Sequence, residues 1–322
     1  MASAKATVGA SARWLIEASE LTLSRLPQRR LHSGAGDDER VPIVIIHLGS
    51  RFPPYLRACV AQVERVGGRP LIVGHSRAAR YSGDQLARFR SSEALSAMGG
   101  RRFWRYACER FFVLEEFMRE SSIDRCVHIE SDVLLYQAAG QLAAGLEATY
   151  GDEIAVCPLT DAEDTAAVMY VGSLVALRRF NAGLLQLVTL GADGLLARYG
   201  GSMANEMRML HVLRTQLGLC AALTTTIEQA TASGVSFLFD PASYGQWVDG
   251  IPGQPGIPYA GEHHAIGREF LSGNYELFWD AQVRVPKVRI GSQPQDAWPL
   301  ANLHVHSKRL ALFAAHTVDR SA

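Results

Sequence analysis

The first strong apolar pattern in the chain is Val41-Pro-Ile-Val-Ile-Ile-His-Leu-Gly49, a continuous run that ends in glycine. Such a run predicts a strand buried on both faces. Pro53-Pro54 then opens a helix whose Leu56, Val60 and Val63 keep helical spacing and which Gly67-Gly68 closes. Arg69–Gly74 follows as a second strand, so the segment reads as a β-α-β unit and implies a parallel sheet. A stronger helix is predicted from Phe103 to Arg119, with Phe103, Ala107, Phe111, Leu114 and Met118 on one stripe. Arg125–Ile129 is the next strand; it runs into Glu130-Ser131-Asp132 and then the apolar Val133–Tyr136. Ile154–Leu159 and Val168–Leu177 read as further strands. Gly200-Gly201-Ser202 caps a helix that carries Met203, Met207, Leu210, Leu213 and Leu217 on one face. From Phe239 to Glu276 the chain is rich in Gly, Pro, Tyr and Trp without periodicity, the mark of a long functional loop.

Residues 1–40 differ. Trp14, Leu15, Ala18, Leu21 and Arg25 fall near helical spacing, a basic segment runs from Arg25 to Arg30, and Ser33–Arg40 has linker chemistry. We expect an N-terminal extension or linker over 1–40, with one amphipathic helix that docks on the main domain or associates weakly with a membrane surface. A single domain is expected over 41–322.

Composition narrows the function classes. The chain has 322 residues, 48% of them hydrophobic and 20% charged, enough to fill a sizeable core. Lys+Arg and Asp+Glu are both 32, so whole-chain attraction to nucleic acid is not indicated and no nucleic-acid partner is expected. Only Lys5, Lys287 and Lys308 are lysines, and none sits in a G-x-x-x-x-G-K-[ST] phosphate loop. Cys59, Cys108, Cys126, Cys157 and Cys220 are scattered with no C-x-x-C, which suggests reduced, buried thiols in a cytoplasmic protein. No apolar run reaches the roughly 18–20 residues of a membrane span, and the N-terminus lacks the pattern of a secretory signal.

Two constellations carry chemistry. Glu130 and Asp132 sit at i and i+2 where a buried strand ends, the position at which open α/β sheets bind ligands. Two like charges there repel unless a cation neutralises them, and a divalent metal does so well. The second is Asn302-Leu-His-Val-His-Ser-Lys308, where His304, His306 and Lys308 share strand parity. An imidazole joined to two carboxylates makes a Mn²⁺ set, whereas Mg²⁺ prefers oxygen ligands throughout. Lysine brings a compact charge suited to a phosphate oxygen.

These segments, in this order, resemble the GT-A family of nucleotide-sugar glycosyltransferases. The resemblance spans about residues 41 to 310. His128-Ile-Glu-Ser-Asp-Val-Leu-Leu135 looks like the Asp-x-Asp metal motif with Glu first, and His304-Val-His-Ser-Lys308 like the late histidine and lysine brought to metal and diphosphate. Val168–Leu177 resembles the strand after the metal motif, and Asn205-Glu206 the acceptor-side acid. The resemblance implies an α/β fold with a mostly parallel central sheet flanked by helices, a nucleotide-binding half over 41–136 and an acceptor half over 137–322. It implies Mn²⁺ (or Mg²⁺) as cofactor, held by Glu130, Asp132 and either His304 or His306. The partners would be a nucleotide-sugar donor, UDP-sugar favoured, and a glycan or other hydroxyl acceptor. Lys308 would hold a phosphate oxygen, Arg110 on its apolar seam would meet a phosphate or a carboxylate of the fold, and His47 and Gly49 would lie near the base. Glu206 would serve as base or acceptor anchor. Asp240, with Tyr244, Gln246 and Trp247, has the acid-and-aromatic mix of a sugar-binding loop.

Other readings explain less. Gly74-His-Ser-Arg-Ala78 approximates a nucleophile elbow around Ser76, which would make the chain a serine hydrolase but leaves the acidic pair unexplained. A nucleotidyltransferase, or a related module that binds sugar nucleotide without transfer, are further alternatives. No G-x-G-x-x-G follows the first strand, and the P-C-x-x-C of zinc deaminases is missing.

Overall fold

A computed structural model of the chain describes residues 42–92, 102–200, 204–251, 253–257, 259, 261, 263–280, 284–291 and 297–314. The helix and linker expected within 1–40 lie outside these residues. The first unit is as the sequence implies: strand β1 (Pro42–His47), helix α1 (Tyr55–Arg65), strand β2 (Arg69–Gly74). Leu56, Val60 and Val63 of α1 are buried. Gly67, at φ +80, supplies the left-handed turn that ends the helix and returns the chain to the sheet.

After a short helix α2 (His75–Ala78) and α3 (Asp84–Ser91) comes α4 (Arg102–Glu120). Ala107, Phe111, Leu114 and Met118 are buried as the stripe requires, but Phe103 is 66% exposed, because the helix begins beyond the edge of the core. The chain then runs through β3 (Cys126–Ile129), β4 (Val133–Leu135), α5 (Ala139–Tyr150), β5 (Ile154–Pro158) and β6 (Asp164–Val171).

Among the described residues the central sheet has six strands in the order β2-β1-β3-β6-β5-β7, where β7 is Ala221–Ala222. β1 is parallel to β2 and β3, β7 is parallel to β5, and β6 alone runs against its neighbours. Both faces are covered. Ile43, Ile45, Val127 and Ile129 point into one core with α1 and α5; Val44, Ile46, Cys126 and Met169 point into another with α4 and the later helices. Period-two alternation feeding two apolar layers explains why these strands read as continuous apolar runs. The protein is therefore a mixed α/β fold with a mostly parallel central sheet flanked by helices, consistent with a GT-A-like architecture.

Val168–Leu177 is not one strand. β6 stops at Val171, and helix α6 (Leu174–Tyr199) starts three residues later. Ser173 caps it by accepting a hydrogen bond from the Ala176 N–H, a local signal that outweighs the apolar run. α6 kinks at Gly191 and is long and apolar enough, by length and composition, to cross a membrane. In this fold Leu177, Phe180, Leu184, Leu187 and Val188 are buried in the second core, and Arg178 and Arg179 interrupt the apolar sequence of the helix.

Helix α7 (Glu206–Thr215) is capped by Asn205, whose side chain accepts from the Arg208 N–H; Gly200 instead ends α6. Its buried face is Met209, Leu210, Val212 and Leu213, rotated from the predicted stripe. The irregular 239–276 stretch contains α9 (Ser243–Asp249) and α10 (Ala265–Leu271), after α8 (Ile227–Ser233). β8 (Tyr275–Trp279), β9 (Pro286–Ile290) and β10 (Trp298–Pro299) form a second sheet, and β11 (Asn302–His304) pairs antiparallel with β4. All five cysteines are buried and free.

Phe111 and Phe180 meet edge to face at 5.5 Å across the second core. Phe111→Ala should lower the unfolding free energy by about 3–5 kcal/mol, against about 1 kcal/mol for the cap variant Ser173→Ala. Urea titration followed by circular dichroism measures both. Similar small losses for the two variants would contradict this core.

Candidate functional site

Strand pairing assembles the site. β3 delivers Glu130 to the end of the sheet, where its N–H donates to the Ala167 carbonyl at 3.0 Å. Residues 131–132 form a turn rather than extended chain, closed by the Val133 N–H on the Glu130 carbonyl at 3.2 Å. β4 then runs against β11 with Val133 opposite His304, and the Val305 N–H donates to the Asp132 carbonyl at 2.9 Å. Two segments far apart in sequence thereby meet. His304 Nε2 lies 3.1 Å from Asp132 Oδ2 and 3.2 Å from Glu130 Oε2. The Lys308 ammonium also sits on Asp132 Oδ2. From α4, the Arg110 guanidinium bridges Glu130 and Glu206, the latter at 2.6 Å. The Tyr55 ring, at the start of α1, lies 5.6 Å from Lys308 Nζ.

The result is a buried chain of alternating charge, Lys308–Asp132–His304–Glu130–Arg110–Glu206. Asp132, His304, Glu206 and Arg110 are all under 9% exposed. Burial by itself would raise the Asp132 carboxyl, but His304 and Lys308 outweigh it and hold it well below the usual range. Glu130 is likewise lowered, burial being overcome by Arg110 and His304. Burial would lower His304, but Asp132 and Glu130 raise it. Glu206 goes the other way: burial pushes it up to about 7, with Arg110 opposing and Glu130 adding to the rise.

Glu130, Asp132 and His304 each offer a ligand atom within 4.8 Å of the others. Donors on opposite sides of an ion with bonds of about 2.0–2.6 Å lie roughly 4–5 Å apart, so these three could share one divalent cation. Lys308 is the group that must yield. Its side chain is 41% exposed, so it has room to move, and its backbone holds a left-handed φ of +66, a conformation that costs a non-glycine residue about 1–2 kcal/mol.

The structure separates the two histidines. His304 faces the carboxylates; His306 instead pairs through Nδ1 with Gln246 Nε2 at 2.9 Å, and burial beside His304 holds it near 3, neutral. Arg110 meets carboxylates of the fold. Asp240 is not free to act as a catalytic group: its oxygens accept from the N–H groups of Tyr244, Gly245 and His304 at 2.8–2.9 Å. Tyr244 is buried with its hydroxyl on the Thr225 carbonyl, and the half-buried Trp247 stacks one face on Phe270 at 4.6 Å. His47 Nε2 pairs with the Arg51 carbonyl at 2.9 Å, and β1 lies beside β3, whose last paired residue is Ile129. At Gly49 a Cβ would overlap the His47 ring. Ser76 is exposed and, among the described residues, no hydrogen bond joins it to an imidazole; His75 Nδ1 faces the Leu48 carbonyl at 3.2 Å.

Sequence reasoning missed Tyr55, Gly245 and Asp249. Tyr55 had a signal, since Pro53-Pro54 fixes where α1 begins. Gly245 had none: a Cβ there would overlap the His304 carbonyl oxygen, a constraint that only the packed fold creates.

No family model matches the chain, and no curated protein matches it. A solved structure described as a glycosyltransferase involved in the glycosylation of the major capsid of PBCV-1 is similar at a TM-score of 0.35 and 10% identity, covering 60% of this chain and 89% of that one.

Glu206 makes stability pH-dependent. Its folded pKa lies above the ordinary carboxylate value, so between about pH 4.5 and 7 the folded chain binds more protons than the unfolded one. Stability from this group is present below that window and falls as pH rises through it, by at most about 1.4 kcal/mol per pH unit. Glu206→Gln removes the titration and keeps an acceptor for Arg110. Denaturant melts at pH 5 to 8 should show the variant gaining on the parent as pH rises; a constant difference would show that Glu206 is ionised throughout.

Proposed function

We propose that the chain is a metal-dependent glycosyltransferase that moves a sugar from a nucleoside diphosphate-sugar, UDP-sugar favoured, to a glycan or other hydroxyl acceptor. One observation carries this reading: Glu130, Asp132 and His304 converge from β3, the β3–β4 turn and β11 on a single point, with Lys308 at its rim. The donor set mixes two carboxylates with an imidazole, which suits Mn²⁺. A bound Mn²⁺ would supply Lewis-acid stabilisation of the charge that grows on the departing diphosphate.

The chain's own residues divide the remaining work. Asp132 and Glu130 hold the cation side, and His304 joins them as neutral imidazole. Lys308 leaves Asp132 and takes a phosphate oxygen, exchanging one anion for another. The nucleoside lies over the carboxyl ends of β1 and β2, within the 41–136 half, near His47 and Gly49. A cavity of about 380 Å³ opens there, lined by Leu48, His75 and, one helical turn before Arg110, Tyr106. Glu206, at the start of α7 in the 137–322 half, is the proton acceptor or hydroxyl anchor; a carboxyl near 7 is suited to taking a proton at neutral pH. Arg110 fixes its orientation.

A nucleoside diphosphate such as UDP should raise the melting temperature by several degrees with Mn²⁺ and scarcely with chelator, since ligand at a hundred times its Kd adds about 2.7 kcal/mol. Equal shifts under both conditions would count against the metal. With a panel of sugar nucleotides, donor hydrolysis or transfer is expected. Binding without turnover would support an inactive module instead, and chelator-resistant ester hydrolysis a hydrolase. Asp132→Asn should stay folded and lose activity by about a hundredfold or more, the scale of removing one electrostatic contact to the reacting charge. Full activity in that variant would overturn the site.

A further inference from the structure

Besides the Asp132 contact of Lys308 itself, the residues that flank it are tied to a second carboxylate, one that touches neither Lys308 nor the acidic pair. Asp249, the last residue of α9, is 2% exposed. Its Oδ2 accepts from the Ser307 hydroxyl and its Oδ1 from the Arg309 guanidinium. These are the residues on either side of Lys308, so both flanks of the left-handed residue are pinned to one buried anion. The rest of α9 and the turn before it grips the same segment. Asp240 accepts from the His304 N–H, Gln246 meets His306, and Gly245 lets the helix close on the His304 carbonyl. Residues 304, 306, 307 and 309 are thus tied to 240–249, and the Lys308 side chain is directed to Asp132.

Two of these ties have different effects. His304 is located by β-pairing to Val133 and by Asp240, neither of which involves Asp249. Lys308 lies beyond the strand; its N–H donates to the Val305 carbonyl at 3.0 Å, which closes the turn but does not select a left-handed residue at 308. A strained backbone angle persists only where its surroundings over-determine it. Asp249 is placed to supply that determination through Ser307 and Arg309, in addition to the Arg309 N–H bond to Ser307 Oγ and the Lys308–Asp132 contact.

We propose that Asp249 is a positioning residue that holds Lys308 in its left-handed conformation and so delivers the ammonium to the diphosphate, while leaving the metal ligands in place. The delivery rests on the glycosyltransferase reading above; the holding of Lys308 does not. Removing Asp249 should therefore weaken the nucleotide without weakening the cation.

The test has a ligand-free arm and a ligand arm. With only three lysines in the chain, acetic anhydride labelling read by peptide mass spectrometry reports Lys308 directly, with Lys287, paired to Asp280 at 2.8 Å, as internal reference. Asp249→Ala should label several-fold faster at Lys308 and unchanged at Lys287. Isothermal titration should show UDP affinity, at saturating Mn²⁺, falling about tenfold, with Mn²⁺ affinity within about twofold of the parent. Asp249→Asn, which keeps an acceptor for Ser307, should recover part of both effects. If Asp249→Ala does not fold, Ser307→Ala with Arg309→Met removes the same ties from the solvent side and should give the same pattern. Unchanged Lys308 labelling, or equal losses of UDP and Mn²⁺ affinity, overturns the proposal. A parent protein that binds no UDP with Mn²⁺ overturns the functional reading and the delivery, while labelling still decides whether Asp249 holds Lys308.

Discussion

Three carboxylates lie buried or nearly so at the end of the central sheet, and the site is organised around compensating them. A buried charge without a partner costs several kcal/mol, far more than one salt bridge on the surface returns. Glu130, Asp132 and Glu206 are matched by Arg110, His304 and Lys308, each cation touching at least one acid. The matching explains otherwise odd placements. It accounts for an arginine on the apolar seam of α4, and for a lysine placed beyond the last strand. It also accounts for the divergence of the acids: Asp132, with two cations, is held low, while Glu206, with a share of one, rises to about 7.

The fold makes this arrangement possible by closing a long loop cheaply. Contacts that join residues 132 and 304 carry a large loop-closure entropy, but the antiparallel β4–β11 pair distributes that cost over a backbone ladder. Asp240 extends the tie: it fixes the turn into α9 and the backbone of His304 with the same two oxygens. The geometry of such a charged cluster depends on surrounding residues that are not members of it. Asp240 belongs among them, which is why an acid in a loop of aromatic residues misled when read from sequence alone.

The legible parts of the sequence were those with a local physical cause. β1, α1, β2 and β3 follow from apolar periodicity and from proline and glycine punctuation, and the acidic pair and the late histidines stood out because charge at the end of a buried strand is expensive. The boundary at Gly172-Ser173 was hidden because an apolar run continues through a capping serine; strand and helix share the same hydrophobicity there. Asn205 was passed over as a cap because Gly200-Gly201-Ser202 offered a stronger turn signal five residues earlier. Which histidine joins the carboxylates was not legible at all. Parity puts 304 and 306 on one side of a strand, but β11 ends at 304, and beyond it the chain turns and gives His306 to Gln246.

Charge balance also constrains how a cation and an anionic ligand would enter. The cluster as it stands is neutral when His304 is protonated and all three acids are ionised, a state reached only above the Glu206 value of about 7. A divalent ion adds two positive charges, and coordination to His304 Nε2 requires that nitrogen to be free of its proton, which removes one of them. Lys308 then carries the surplus, and an ammonium whose ordinary pKa is about 10.4 does not shed its proton near neutral pH. Movement toward a new anion is the remaining solution. On the proposed function that anion is the donor diphosphate, so cation and nucleotide each relieve the imbalance the other creates. On that reading, cooperative entry of the two would follow from electrostatics alone.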